Sequence, residues 1–368
     1  MQPSPAAGPL PVAEPQDVGF DPGLLREAVA FAEEAETPWP RDLSKALGSD
    51  PKVREPAPWN EVLGPTRPRG GPCGLVMRAG HTAASWGDTR RPDMTFSVAK
   101  SYLALLAGVA VDRGLIKDID DPVRRYALDD GFDSAQNRDV TWRHLLHQTS
   151  EWEGTLFEKP DLVDRNRQVG AGADNTRKGT HRDLHRPGTH WEYNDVRVNR
   201  LSLALLHVFR QPLPDVFAAA IANPIGCSDS WEWLPYRNGW VDVAGTSMPS
   251  VPGGGHWGGG VFIHAEDQAR IGELVRSRGR GGNRQLIAAA WFDQLATSCP
   301  LRADYGFLWW RNPNRSIYRS APRDSLFALG AGQHITWVAP SLDLVMVARW
   351  IDDTRTDELL GRISAAIT

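Results

Sequence analysis

The chain is short of several things that would each mark a class of protein. It has only three cysteines in 368 residues, Cys73, Cys227 and Cys299. They are odd in number, far apart, and none sits beside a histidine or another cysteine, which sets aside a disulfide framework and fits a reducing compartment. No apolar run reaches the roughly 18 residues that a membrane span needs. The start, from Met1 to Pro9, has neither a positive n-region nor an apolar core of signal-peptide length, so residues 1–18 read as a disordered arm and the expected location is cytoplasmic. A formal net charge of -4 with no basic cluster argues against nucleic acid or an anionic membrane as partner. With 41% hydrophobic and 23% charged residues, what remains is a globular chain able to bury a full core, whose expected partner is a small molecule. Its oligomeric state is left open.

Lysine is scarce too, and that makes one of the six informative. Lys45, Lys52, Lys117, Lys159 and Lys178 lie in polar surroundings, whereas Lys100 is embedded in Thr95-Phe96-Ser97-Val98-Ala99-Lys100-Ser101, at the head of the apolar run 102–111. That run reads as a buried helix. Residues three apart share a helix face, so Lys100 reaches the Ser97 hydroxyl without help from the tertiary fold. The first turn adds unpaired N-H groups and the positive end of the helix dipole, where a developing anion is stabilised. Burial of an amine is expected to bring its pKa toward the working pH, as a general base requires. A serine three before a lysine arises about once by chance in a chain of this length. Ser49-Asp50-Pro51-Lys52 has the same spacing, but its proline and polar setting preclude a helix that would aim the pair.

Coarse patterning places these residues. Asp21-Pro22-Gly23 opens a first helix, a Pro- and Gly-rich surface excursion runs over residues 37–72, and residues 74–78 and 82–86 form a hairpin about Ala79-Gly80-His81. Residues 117–236 are expected to be mostly helical, with patterns at 143–147 and 196–209 separated by Arg-rich loops. Strands return at 334–338 and 344–348, before a closing helix over 357–367. Strands at both ends with helices between them predict an α+β fold, in which one antiparallel sheet is built from the N- and C-terminal segments and flanked by helices. Residues 19–116 and 240–368 would make one α/β lobe and residues 117–239 an inserted, mostly helical lobe, with the ligand in the cleft between them.

Two further elements carry chemistry. In Pro187-Gly188-Thr189-His190-Trp191-Glu192-Tyr193-Asn194-Asp195, Asp195 is a natural N-cap for the helix that follows, and Tyr193 lies just outside it. A phenol held there near a lysine can exchange protons as general acid and base, although a core tyrosine beside a helix cap has the same pattern. Gly330-Ala331-Gly332-Gln333 precedes the penultimate strand, where its flexibility lets backbone approach a ligand. The amides of Ser97 and Ala331 would make a two-donor oxyanion hole.

In order and spacing, Ser97-Val98-Ala99-Lys100, the Pro-Gly-x-x-Trp-x-Tyr-x-Asp stretch and the Gly-rich lead-in resemble the penicillin-recognising serine hydrolases. The chain looks like the branch related to class C β-lactamases, which includes carboxylesterases and 6-aminohexanoate-dimer hydrolases. Asp120-Asp121-Pro122-Val123, Leu145-Leu146-His147-Gln148-Thr149-Ser150 and Trp257-Gly258-Gly259-Gly260 extend the resemblance over most of the chain. It implies a β-lactamase-like (DD-peptidase-like) fold, with Ser97 the acylated nucleophile, Lys100 its base and Tyr193 the proton relay, and no cofactor. There are two departures. Asp195 stands where such β-lactamases have asparagine, and no Lys-Thr-Gly precedes the last strands, where Ala328-Leu329-Gly330 lies instead. In β-lactamases and peptidases that lysine helps bind the substrate carboxylate. Its absence, together with the expected cytoplasmic location, favours hydrolysis of a small ester or amide over a β-lactamase or D-amino peptide hydrolase; a related acyltransferase, or a binding protein that acylates without turnover, would share the motifs.

Other constellations fail on their chemistry. His181-Arg182-Asp183-Leu184-His185 lacks the glutamate of a zinc protease motif, and Pro187-Gly188 ends any helix that could present its histidines, so no metal site is expected. Gly253-Gly254-Gly255-His256-Trp257-Gly258-Gly259-Gly260 lacks the Lys-Ser/Thr of a phosphate-binding loop and reads as a packed turn beside the cleft. Among fifteen tryptophans, Trp152 and Trp257 are candidates for an apolar wall against the substrate, and Asp195, His256 and Gly332 are further candidate substrate-binding residues.

Overall fold

The computed structural model describes residues 8–49, 55, 57–170 and 172–368. Asp50, Pro51 and Lys52 of the second Ser-x-x-Lys spacing lie outside the described residues.

Six antiparallel strands form the main sheet in the order Trp310–Arg311, Leu326–Gly330, His334–Ala339, Leu344–Arg349, Cys73–Arg78, His81–Trp86. The two termini therefore meet at its centre, where Leu75 pairs with Val347 and Val76 with Met346. Every residue of His334–Ala339 and Leu344–Arg349 is buried. Burial without alternation means that both faces of the sheet are covered. Helix Ala265–Arg276 packs on these central strands, close enough that a Cβ on Gly272 would meet Val345 at 2.6 Å. The terminal helices Pro22–Glu34 and Thr356–Ala365 pack on each other. The mixed α+β architecture expected from the sequence, an antiparallel sheet built from both terminal segments and flanked by helices, is thus present.

Beyond Lys100 and Ser101 in its first turn, helix Val98–Asp112 is apolar on every side and buried through Ala110, as a helix enclosed by protein must be. It packs against helix Asp195–Phe209 and against the strand Leu326–Gly330, second from one edge of the sheet. A small sheet of Asp93–Met94, Gly260–Ile263 and Glu232–Leu234 leads the chain into it, and Thr95 N-H donates to the Val261 carbonyl at 2.8 Å. Phe96 then takes a left-handed φ of 50°, wedged against Trp39, His334 and Trp350.

Three expectations need correction. Residues 8–18 are not a disordered arm: they hold a 3-10 turn at Pro15–Val18, and Thr82 N-H donates to Pro11 O while Ala13 N-H donates to Thr82 O. The segment satisfies backbone groups that the edge strand His81–Trp86 would otherwise leave open. The middle of the chain is less helical than expected, for among the described residues between Leu146 and Asp195 there is only a 3-10 turn at Asp161–Asp164 and a short ribbon of Thr155–Leu156 with Lys159–Pro160. Buried ion pairs hold that stretch in place of helical hydrogen bonds, with Arg197 binding Glu151, Glu192 and Asp161, and Arg182 binding Glu151 and Glu192. The excursion after Thr37 is not wholly on the surface, since Leu43, Ala46 and Leu47 are buried in a second core with Met94, Phe96, Phe262 and Trp350.

Candidate active site

Ser97 caps helix Val98–Asp112 from a right-handed conformation, and its side chain makes no capping bond. The hydroxyl is therefore free for another partner. Lys100, one turn on and 1% exposed, donates from Nζ to Ser97 Oγ at 2.8 Å. The local expectation from helical spacing is met.

What the spacing could not supply is the other side of the ammonium. Lys100 Nζ forms an ion pair with Asp195 Oδ1 and lies 4.9 Å from the centroid of the Tyr193 ring. Burial alone would push the Lys100 pKa down, but the Asp195 carboxylate and the Tyr193 phenol outweigh it, and the net shift is upward. This reverses the expected direction. In the resting site Lys100 is an ammonium, because a carboxylate in a low-dielectric setting stabilises its charge.

Asp195 is itself held from several sides. Its Oδ2 takes a 2.6 Å bond from Arg167 Nη1, its backbone N-H donates to Asp164 Oδ2 at 2.8 Å, and His256 Nδ1 stands 3.7 Å from Oδ2. Burial pushes its carboxyl pKa up, yet the Lys100 and Arg167 charges hold it well below the usual carboxylate range. Asp195 is not the helix cap. Asn194 is, accepting from Arg197 N-H at 3.1 Å, and this leaves the Asp195 carboxylate for Lys100. Nor does it present a free carboxylate to a substrate.

The loop bearing Tyr193 is fixed by residues of the Leu145–Ser150 stretch. Gln148, at a left-handed φ of 59°, accepts from Asn194 N-H at 2.8 Å through Oε1 and donates to Tyr305 Oη at 3.2 Å. Tyr193 stacks on Trp310, with 5.9 Å between ring centroids, and the Arg167 guanidinium lies 5.0 Å from its ring. A cavity of about 410 Å³ opens beside Arg167, lined also by Trp191, Glu192, His190, Arg177 and Arg302.

Gly254 closes the site from the glycine-rich turn. A Cβ built there would lie 2.9 Å from Lys100 Nζ and 3.5 Å from both Ser97 Oγ and Asp195 Oδ1. Gly253 N-H, bonded to Asn199 Oδ1 at 3.0 Å, ties the turn to helix Asp195–Phe209. On the sheet side, the Gly330–Gln333 turn joins Leu326–Gly330 to His334–Ala339, and Gly330 meets the Thr95 carbonyl so closely that a Cβ would come within 2.1 Å of its oxygen. This contact seats the Ala331 turn against the loop that presents Ser97.

The remaining candidates have structural explanations. Trp152 is 3% exposed, donates from Nε1 to Gly131 O at 2.7 Å and packs near Arg200. Trp257 is 1% exposed, and its Nε1 holds Trp59 O at 2.9 Å. Neither offers an open wall, because each ring is enclosed and each N-H satisfied within the core. Gly332 adopts φ 70° with the Trp350 ring where a Cβ would go, so turn geometry accounts for it. His256 pairs with Glu55, which also binds Lys178. Arg167, Asp164 and Gly254 were not anticipated as site residues. Arg167 and Asp164 stand in an irregular loop with no periodic signal, and Gly254 was legible only as one of a glycine-rich turn.

An antiparallel sheet joined from both termini, with a serine-lysine pair at the head of a buried helix, is the arrangement of a serine-hydrolase class. The sequence matches the beta-lactamase family model over residues 81–358, and the chain belongs to that family. No curated protein matches it in sequence. Among solved structures it is similar to EstCE1, a hydrolase with promiscuous acyltransferase activity (17% identity, 94% of this chain and 99% of that one, TM-score 0.59). It is also similar to a family VIII carboxylesterase (15% identity, 81% and 93%, TM-score 0.57) and a beta-lactamase from Mycobacterium bovis (18% identity, 80% and 94%, TM-score 0.54). At such identities the likeness speaks for the fold. Among the described residues no helix is long and apolar enough to cross a membrane.

Proposed function

We propose that this protein is a serine hydrolase that cleaves a small ester or amide through an acyl-enzyme on Ser97. The observation that carries the reading is the 2.8 Å bond from Lys100 Nζ to Ser97 Oγ at the head of a buried helix. In this mechanism Ser97 Oγ attacks the substrate carbonyl as its proton leaves toward Lys100. The amides of Ser97 and Ala331 receive the oxyanion, a contribution of several kcal/mol in comparable sites. Tyr193 passes a proton to the leaving group and later draws one from the water that releases the acyl group. The chemistry draws on side chains and backbone amides.

The absence of Lys-Thr-Gly from the strand Leu326–Gly330 favours esters and simple amides over β-lactams and D-amino peptides, which present a carboxylate to that lysine. Transfer of the acyl group to an alcohol or amine in place of water is the second reading, favoured by the promiscuous acyltransferase activity of EstCE1, which aligns over 94% of the chain. The test is brief mixing with a p-nitrophenyl ester, followed by intact-mass measurement and peptide mapping, with nitrophenol release recorded in parallel. A transient acyl group on Ser97 and many turnovers, both lost in Ser97→Ala, are expected. No adduct and no release above the Ser97→Ala background would overturn the reading.

A further inference from the structure

Lys100 lies between two oxygens. On one side it donates to Ser97 Oγ at 2.8 Å; on the other it is ion-paired with Asp195 Oδ1, and all three side chains sit beneath Gly254. An ammonium has no lone pair with which to receive the Ser97 proton. It can take that proton only while giving one of its own away, and Asp195 is the acceptor in contact with it. We propose that Asp195 is the terminal acceptor of the Ser97 proton, so that Ser97, Lys100 and Asp195 act as a relay. The inference rests on the acyl-enzyme reading above.

The step balances as follows. Ser97 Oγ forms its bond to the carbonyl carbon while its proton passes to Lys100 Nζ and a different Lys100 proton passes to Asp195 Oδ1. The carbonyl π pair moves onto oxygen, Lys100 remains an ammonium and Asp195 becomes a carboxylic acid. When the carbonyl re-forms and the leaving group departs, the proton returns from Asp195 through Lys100 and the Tyr193 phenol to the leaving atom, and the carboxylate is restored.

The surroundings of Asp195 fix its geometry for this role, while the Lys100 and Arg167 charges that keep it ionised make it a weak acceptor, so the proton rests on it only while the oxyanion stands. Arg167 Nη1 binds the other oxygen, Oδ2, at 2.6 Å, which fixes the carboxylate and leaves Oδ1 for Lys100. Asp164, across the Asp195 backbone amide, is neutralised by Arg167 and Lys178, so a second carboxylate does not compete for the lysine. The other titratable groups facing Asp195 are His256, at 3.7 Å, and the phenols of Tyr193, Tyr236 and Tyr305. An asparagine at this position could accept a hydrogen bond from Lys100 but could not take its proton. Lys100 would then have to lose a proton to solvent before acting.

The experiment measures the pre-steady-state acylation rate of the full chain by p-nitrophenyl acetate across pH, for the native protein, Asp195→Asn and Asp195→Glu. Expected for the native protein is an acylation rate that stays flat on the acid side, because Asp195 remains ionised there. Asp195→Asn, which is isosteric, should acylate about 100-fold more slowly at neutral pH and gain about tenfold per pH unit as Lys100 is deprotonated. Asp195→Glu should restore the flat profile at a reduced rate, which a merely structural role would not do. An Asp195→Asn protein that acylates at neutral pH as fast as the native one, or faster, would overturn the proposal, since Lys100 freed of its counterion would then be the base itself. Absence of a Ser97 adduct in the native protein would instead overturn the acyl-enzyme reading, and the relay with it.

Discussion

Gly254 lies directly over Lys100: a Cβ on the glycine would stand 2.9 Å from Nζ, too close for a carbon contact, while Nζ is held 2.8 Å from Ser97 Oγ. The glycine-rich turn is therefore the roof of the serine-lysine pair. Its backbone is not left-handed, so alanine can adopt the conformation, and the neighbour it meets is the flexible end of a side chain. Gly254→Ala should lower kcat/KM for a p-nitrophenyl ester by at least about tenfold through displacement of Lys100, while Tm changes little. Steady-state kinetics beside a thermal melt checks this, and a large fall in Tm would assign the glycine to folding.

Gly330 differs because its near neighbour is backbone. A methyl there would come within 2.1 Å of the Thr95 carbonyl oxygen, and the sheet edge would have to move away from the Ser97 loop. Gly330→Ala should cost about 1–3 kcal/mol in urea unfolding, the range for overpacking a tight contact. Acyl-enzyme formation should fall further than that stability loss explains, because the Ala331 turn moves with it.

Arg197 holds Glu151 at 2.7 Å, Glu192 at 3.2 Å, Asp161 at 3.3 Å and the Trp152 carbonyl at 3.0 Å, all buried. Removing one partner of a buried pair leaves uncompensated charge. Arg197→Met should lose about 3–5 kcal/mol of stability, measured by chemical denaturation, and the loop from Glu151 to Glu192 should become sensitive to proteases.

Two of the groups that contribute to the acid limb of stability are His147 and Glu151. Burial, helped by the Arg143 charge, pushes His147 from 6.5 down to about 4. The unfolded chain takes up this proton below pH 6.5 while the native chain refuses it until about 4, so stability falls as pH drops through that window. Burial opposes the ionisation of Glu151, but Arg182 and Arg197 outweigh it and hold the carboxyl at about 2, against 4.5. Its contribution is present above pH 4.5 and is lost as pH falls toward 2. Each is worth up to about 3 kcal/mol. Urea midpoints against pH should flatten between pH 6.5 and 4 in His147→Gln and below 4.5 in Glu151→Gln.

Trp152 and Trp257 are enclosed, so Trp152→Ala and Trp257→Ala should each lower stability by about 3–5 kcal/mol. A normally folded variant with only a changed ester preference would return that residue to the substrate wall. Differential scanning calorimetry beside a substrate panel distinguishes the two.

The sequence by itself determined the features whose physics is local. Helical periodicity alone brings Lys100 to Ser97, the Ala79-Gly80 turn makes the hairpin, and short apolar strand segments at both termini define the antiparallel sheet. The Gly-rich turn before the penultimate strand was legible for the same reason, since a left-handed Gly332 and Gln333 are short-range demands. Tertiary structure decided what depends on charge in a closed space. Asn194 and Asp195 are both good caps, and the choice between them is made by a buried ammonium 95 residues earlier that requires a counterion. The direction of the Lys100 pKa follows from that choice and not from burial alone. Arg167, Asp164 and Gly254 join the site for the same reason: long-range ion pairing and close backbone approach leave no periodic trace in the chain.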